Sequence, residues 1–270
     1  MKLAASTLGC PDWTLAEICE RFPAYGYTGV ELRGLGPALN LTEVPAFAPI
    51  AIADTRQAFA DAGLRVCSVD TSASFADPDR QAGSVLETHA AVSLAQSLGS
   101  PFVRIFPGTL PGHESREAEL AAMADRLRTV GTYAADNSDV VLILETHDSF
   151  STGAGVAEVL ALTDHPRVAA LWDLHHPYRH GETPAQTFAA LAPFVRHVHV
   201  KDSRPPDGYC LLGEGDVPVF AMLQLLQDAG YDGWLSLEWE KRWQPDLLDP
   251  TIAFPQYAAK LQDYHGQLSR

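Results

Sequence analysis
Short apolar runs recur along the chain, and each gives way to a stretch with helical spacing. The runs fall at 3–8, 29–33, 65–70, 102–106, 140–145, 168–173, 197–201 and 234–238. Each has the length and branched, apolar character of a buried strand. Between them the pattern predicts helices from Thr14, over 50–62, 85–98 and 115–135, from near Gly155, and over 184–191, 219–229 and 255–268. Local signals mark their ends. Thr14 with Glu17 three residues on has the spacing of a capping box, and Gly63, Gly99 and Gly230 stand where helices should stop. The segment from Asp202 to Asp216 holds Pro205, Pro206 and the run L-G-E-G-D, and reads as a loop.

Eight strand–helix units in strict alternation predict a parallel sheet. At about 34 residues per unit over 270 residues, the spacing matches the ~30 residues of a βαβ step. Eight units predict one closed (β/α)8 TIM barrel, a single domain over 1–270. The competing architecture is an open, doubly wound sheet with a glycine-rich turn after the first strand. The turn here is Gly9-Cys10-Pro11-Asp12, which lacks that signature.

Composition narrows the function classes. Hydrophobic residues make up 46% and charged residues 20%, too apolar a balance for a disordered chain. The formal net charge of −15, from 19 basic and 34 acidic residues, opposes binding to nucleic acid or to an anionic membrane. Cys10, Cys19, Cys67 and Cys210 form no C-x-x-C pair, so reduced thiols are expected. Residues 1–10 are too short and polar for a secretory leader, and no apolar run approaches the ~20 residues of a membrane span. A cytoplasmic protein is the expectation.

Polar residues then appear abruptly at the ends of the later strands. The fifth ends in E-T-H, giving Glu145 and His147. The sixth ends in W-D-L-H-H, giving Asp173, His175 and His176. The seventh reads H-V-H-V-K-D, with His197, His199, Lys201 and Asp202, and the eighth ends in L-E-W-E, with Glu238 and Glu240. Barrel enzymes place their chemistry at these strand ends. Alternation puts Glu145 with His147, and His199 with Lys201, on one face. Carboxylates converging on a barrel mouth repel each other unless paired or bound to a metal. A divalent cation resolves that conflict for Glu145, Asp173 and Glu238, with His199 as a fourth ligand. Three oxygens and an imidazole suit manganese or magnesium first, with cobalt, iron or zinc as alternatives.

E-T-H, W-D-L-H-H, H-V-H-V-K-D and L-E-W-E, in this order, resemble the xylose isomerase-like barrel superfamily, and within it the sugar phosphate isomerase/epimerase group. That group includes ketose 3-epimerases, inosose dehydratases and hydroxypyruvate isomerases. The resemblance runs from the first strand to the eighth. It implies metal ligation by Glu145, Asp173, His199 and Glu238, with Glu145 and Glu238 also acting as acid and base. It implies substrate contact by His176, through the D-x-x-H spacing from Asp173. Arg204 lies near the position of an arginine that related epimerases carry past the metal-binding histidine. His147, Lys201 and Arg104 are further substrate-binding candidates, with Glu31 and Arg33 available to line the pocket.

The implied activity is isomerisation or epimerisation of a sugar, sugar phosphate or keto-polyol through a metal-stabilised enediolate. A dehydratase of the inosose dehydratase type begins with the same proton abstraction and is the alternative. An apurinic endonuclease-like hydrolase is disfavoured, because the loop after the seventh strand reads D-S-R-P-P-D-G where a D-x-H pair is required. A non-catalytic sugar-binding barrel is disfavoured by the presence of both Glu145 and Glu238. The expected partner is a small carbohydrate, with a homodimer left open. Bland alternatives stand beside these assignments: a buried ion-pair network for the four ligands, an ion pair to Asp202 or to a ligand carboxylate for Lys201, and an exposed turn for His176. A phosphate site would need a basic residue near the last loops, where Arg204, Lys241 and Arg242 are available.

Overall fold
The structure, a computed structural model, describes residues 1–206 and 208–268. Ten strands occur in chain order: β1 (Lys2–Ser6), β2 (Gly29–Leu32), β3 (Arg65–Ser74), β4 (Phe102–Phe106), β5 (Val141–Glu145), β6 (Val168–Asp173), β7 (Val195–Val200), β8 (Asp202–Arg204), β9 (Gly208–Cys210) and β10 (Trp234–Leu237). Eight of them form a closed barrel in the order β1-β10-β7-β6-β5-β4-β3-β2, and β8 and β9 form a separate antiparallel pair. The registers are parallel, for example Leu3 opposite Leu235 and Leu142 opposite Val168. This is the (β/α)8 TIM barrel that the alternation predicts. No helix among the described residues is long and apolar enough to cross a membrane.

The helices are α1 (Leu15–Tyr25), α2 (Ile52–Asp61), α3 (Gln81–Leu98), α4 (Arg116–Asn137), α5 (Gly153–Thr163), α6 (His175–Arg179), α7 (Pro184–Leu191), α8 (Val219–Asp228) and α9 (Pro250–Leu268). The predicted capping box at α1 is present: Glu17 N donates to Thr14 Oγ1 at 3.2 Å, and Thr14 N donates to Glu17 Oε2 at 2.8 Å. Gly99 ends α3 at φ +73°, a left-handed conformation that a side chain resists.

Five predictions need correction. The third strand runs on to Ser74, through a register shift against β4 between Asp70 and Ser74. The 202–216 loop contains the β8–β9 pair; its Asp207 lies outside the described residues. Residues just after β6 form α6, whose first amides, His175 N and His176 N, donate to Asp173 Oδ1 at 2.7 and 3.3 Å. His176 therefore sits on a capped helical turn, partly buried. α3 and the last helix begin at Gln81 and Pro250, each about one turn earlier than predicted.

Spatial proximity divides the chain into two compact units, Met1–Cys67 with Val198–Arg270, and Ser68–His197. The first is centred on aromatic packing. Phe254 lies 5.7 Å from Trp13, 5.4 Å from Phe22 and 6.1 Å from Tyr27, edge to face in each case. The Tyr27 hydroxyl donates to the Phe254 carbonyl at 2.8 Å, which gives its buried polar tip a partner. Gly9 is required beneath this cluster, since a Cβ there would stand 2.7 Å from the Phe254 ring. In the second unit Ile143, Ala169 and Leu171 form an aliphatic cluster, with Phe102 and Val141 packed against it. Such burial stabilises by roughly 1.5–3 kcal/mol per large side chain.

Candidate active site
The Met1–Cys67/Val198–Arg270 unit assembles Glu31, His199, Lys201, Glu238 and Glu240. His199 and Lys201 alternate at the end of β7, so both face inward. Glu238 follows the last residue of β10, and Glu240 shares its face two residues on. The His199 ring lies between two carboxylates. Its Nε2 is 2.9 Å from Glu31 Oε1, and its Nδ1 is 3.3 Å from Glu238 Oε2. Lys201 Nζ donates to Glu238 Oε2 at 2.6 Å and to Glu240 Oε1 at 2.8 Å. The Tyr209 hydroxyl on β9 donates to the same Glu240 oxygen at 2.9 Å. Buried charges require such compensation, because desolvating an isolated carboxylate or ammonium is prohibitive. Asp202, the other partner considered for Lys201, instead accepts backbone N–H bonds from Ser203, Gly213, Gly215 and Val217.

The Ser68–His197 unit carries the other candidates. Arg104 on β4 is only 1% exposed and faces two acids, with Nε 3.4 Å from Glu145 Oε2 and Nη2 3.6 Å from Asp70 Oδ2. Asp70 also accepts from Ser68 Oγ at 2.8 Å. The Arg104 guanidinium stacks 3.9 Å from the Phe106 ring centroid. Phe106 lies 4.7 Å from the His147 ring, and His147 lies 4.8 Å from that of His176, edge to face. His176 Nε2 reaches to 3.7 Å from Asp173 Oδ2. Asp173, His175 and His176 each offer a ligand atom within 4.8 Å of the others, so this group could hold a metal ion. Beside it, His147 Nδ1 pairs with Asp148 Oδ1 at 2.9 Å. That contact, with a further bond from Gly108 N, holds the Asp148 carboxyl below the usual carboxylate range.

Each predicted residue thus has a definite place. Within the first unit, His199 and Lys201 both meet Glu238, at the same Oε2. Within the second, Arg104 meets Glu145, and His176 meets both Asp173 and His147. Arg204 lies on the β8–β9 pair, where its exposed guanidinium donates to the Glu214 carbonyl. Lys241 Nζ donates to the Pro245 and Leu247 carbonyls, and Arg242 to those of Gly36 and Pro37. Sequence reasoning missed Asp70, although the rule that found Glu145 applies to it: an acid interrupting an apolar strand near its end. It also left Glu240 without a role, although L-E-W-E places it on the face of Glu238.

The model of the family described as xylose isomerase-like TIM barrel matches residues 19–259. Among curated relatives, inosose dehydratase of Clostridium botulinum (strain Eklund 17B / Type B) is 27% identical over 175 residues, 56% of this chain and 55% of the relative. Fructoselysine 3-epimerase of Escherichia coli O157:H7 is 30% identical over 122 residues, 43% of this chain and 44% of the relative. The chain spans about half the length of the curated relatives it matches. Among solved structures, the IolI protein with a bound zinc atom superposes with a TM-score of 0.82 at 16% identity, covering 99% of both chains. The strand order, the strand-end chemistry and the family match agree: the chain belongs to the xylose isomerase-like TIM barrel family.

Proposed function
We propose that this protein is a divalent-metal-dependent enzyme that moves a proton beside the carbonyl of a small carbohydrate, as an isomerase or epimerase. The observation that carries the reading is the set of buried acids at the strand ends: Glu145 after β5, Asp173 closing β6 and Glu238 after β10, with His199 of β7. Each of the four offers one donor atom to a metal. Hard oxygens with one imidazole fit manganese, magnesium or zinc, and the zinc in the IolI structure lends support to a metal in this fold. Such an ion supplies Lewis-acid stabilisation of negative charge on a substrate oxygen.

The protein's own groups do the rest. Glu145 and Glu238 are the acid–base pair: one takes the proton next to the carbonyl and the other returns it. Lys201 balances the charge of Glu238 and Glu240 and orients Glu238 through its 2.6 Å bond. Arg104 does the same for Glu145 from 3.4 Å. His147 and His176, edge to face, form a wall able to hold hydroxyls. Return to the opposite face of the same carbon gives epimerisation, and return to the neighbouring carbon gives isomerisation. A dehydratase is the second reading, favoured by the inosose dehydratases among the relatives. There the same abstraction is followed by loss of hydroxide from the adjacent carbon.

The test is metal-dependent exchange of substrate protons with deuterated water over a panel of keto sugars and inososes, with products read by NMR. Exchange with a new stereoisomer or aldose supports the first reading; exchange with an unsaturated product supports the second. Glu145→Gln and Glu238→Gln should each lower turnover by at least about a thousandfold while circular dichroism stays unchanged. Wild-type rates in either variant would sink the assignment.

A further inference from the structure
In the Met1–Cys67/Val198–Arg270 unit a cavity of about 720 Å³ opens among Pro11, Asp12, Pro37, Arg242, Trp243 and Pro245. Its volume falls in the range of small-molecule sites, roughly 300–1,000 Å³. All its lining loops leave the C-terminal ends of strands, since β1 ends at Ser6, β2 at Leu32 and β10 at Leu237. Lys241, also in its lining, follows Glu238 by three residues. The cavity therefore lies at the end of the barrel where chemistry is placed.

Its walls are fixed before any ligand arrives. Arg242 donates from Nη1 to the Gly36 carbonyl at 2.7 Å and from Nη2 to the Pro37 carbonyl at 2.6 Å. Its backbone N–H donates to the Leu8 carbonyl at 3.2 Å. One arginine thus joins the loops after β1, β2 and β10. Gly36, at φ +55°, lets the 35–38 turn offer both carbonyls to it. Lys241 Nζ is held in the same way, by the Pro245 and Leu247 carbonyls. Both cations of the lining are thus directed at backbone oxygens, and the acid Asp12 adds negative charge. The two cations and one acid leave a single net positive charge, and both cations already donate to the protein's own carbonyls, so a phosphate dianion finds no cation dedicated to it.

What the lining does offer is a half-exposed indole and three prolines, with a carboxylate beside them. Trp243 is 50% exposed, whereas Trp13, Trp172, Trp234 and Trp239 are at most 8% exposed. An indole left in water at the wall of a preorganised cavity suits a ring with an apolar C–H face, and a carboxylate suits its hydroxyl edge. We propose that this cavity is a subsite for an uncharged sugar ring, the second ring of a glycosidic substrate whose keto-sugar ring reacts at Glu238. The inference rests on the proposed reaction and narrows its substrate class to keto-glycosides in preference to sugar phosphates.

The experiment is a fluorescence and calorimetric titration of the manganese-loaded protein with cellobiose, glucose and inorganic phosphate. Cellobiose is expected to change tryptophan emission saturably and to bind about tenfold more tightly than glucose, while phosphate leaves emission unchanged. Trp243→Phe should remove most of the signal, because the other indoles are buried. Trp243→Ala should weaken cellobiose binding about tenfold and leave proton exchange on simple ketoses unchanged. Saturation by phosphate, equal binding of glucose and cellobiose, or full cellobiose affinity in Trp243→Ala would each overturn the subsite. These readouts need no turnover. Cellobiose binding without proton exchange on any ketose refutes the reaction and leaves the sugar subsite standing. Proton exchange without cellobiose binding refutes the subsite alone.

Discussion

The 2.9 Å contact between Glu31 Oε1 and His199 Nε2 bears on which imidazole nitrogen can hold a lone pair. A proton in that contact leaves the lone pair on Nδ1, the nitrogen facing Glu238. A carboxylate behind a ligating histidine fixes its tautomer and raises its basicity, and losing one typically costs 10–100-fold in metal affinity. We therefore expect Glu31→Ala to weaken manganese binding by about 10–100-fold with the fold intact, and Glu31→Gln, which keeps an acceptor, to weaken it less. Unchanged affinity in a calorimetric titration of Glu31→Ala would remove Glu31 from the site. Asp148 makes a different prediction. Hydrogen bonding from His147 is the main cause that lowers its folded-state carboxyl pKa. The resulting stability is present above the ordinary carboxylate range and is lost as the pH falls through the lowered value. Asp148 has φ +50°, which asparagine tolerates, so Asp148→Asn isolates the charge. In urea titrations the variant should be less stable at pH 7, with the difference shrinking as the pH falls through the ordinary carboxylate range and below it, down through the lowered value; a pH-independent gap would refute the assignment. At this scale sequence pattern pointed to Glu145, Asp173, His199 and Glu238 because each breaks an apolar run. It could not show that Arg104 lies between Asp70 and Glu145, because a contact between neighbouring strands depends on register.

Among the elements, the β8–β9 pair has the most to hold. Asp202 at its start accepts four backbone N–H bonds, from Ser203 at 2.8 Å, Gly213 at 2.9 Å, Gly215 at 3.0 Å and Val217 at 3.3 Å. Three of these donors lie in the segment leading to α8, so one carboxylate ties the pair to the loop behind it. The pair in turn presents Tyr209 to Glu240, beside Lys201. Asp202→Ala leaves those amides without their charged acceptor. It should cost about 3 kcal/mol, the scale of losing buried hydrogen bonds to a charged group. Faster hydrogen exchange should be confined to residues 211–217 and 202–210. Wild-type protection there would show that the carboxylate is not the anchor. The same element marks the limit of what was legible along the chain. Long helices announced themselves through period and caps, as at Thr14 and Gly99, and barrel strands through apolar runs. Strands of three residues on either side of Pro205-Pro206 have no period to detect. The five-residue α6 was hidden for a related reason: its start depends on the Asp173 carboxylate receiving its first amides, a local hydrogen bond that hydrophobic pattern does not encode.

For the molecule as a whole, the net charge of −15 sets the stability problem. Some of that charge is buried at the strand ends, on Glu31, Asp70, Glu145, Asp173 and Glu238, where bulk salt screens poorly. Lys201 and Arg104 offset part of it. A bound divalent cation would offset more, and its binding free energy would add to folding stability. At a manganese concentration about a hundredfold above Kd, linkage stabilises by about 2.7 kcal/mol. For a chain of this length that is about 5 °C in Tm. Chelation should lower Tm by this amount, and manganese should restore it. Added sodium chloride should not reproduce the gain, since it screens exposed charges and leaves buried ones unrelieved. Asp173→Asn should lose the metal-dependent shift. The closed strand order passes through both compact units, and β3 and β7 each contribute residues to both. We propose on that ground that the chain is one domain, so calorimetry should show a single transition with and without metal. Two transitions would mean that the units unfold separately. A Tm indifferent to both chelator and manganese would leave the buried acids as an ion-pair network, and the reaction proposed here would lose its cofactor.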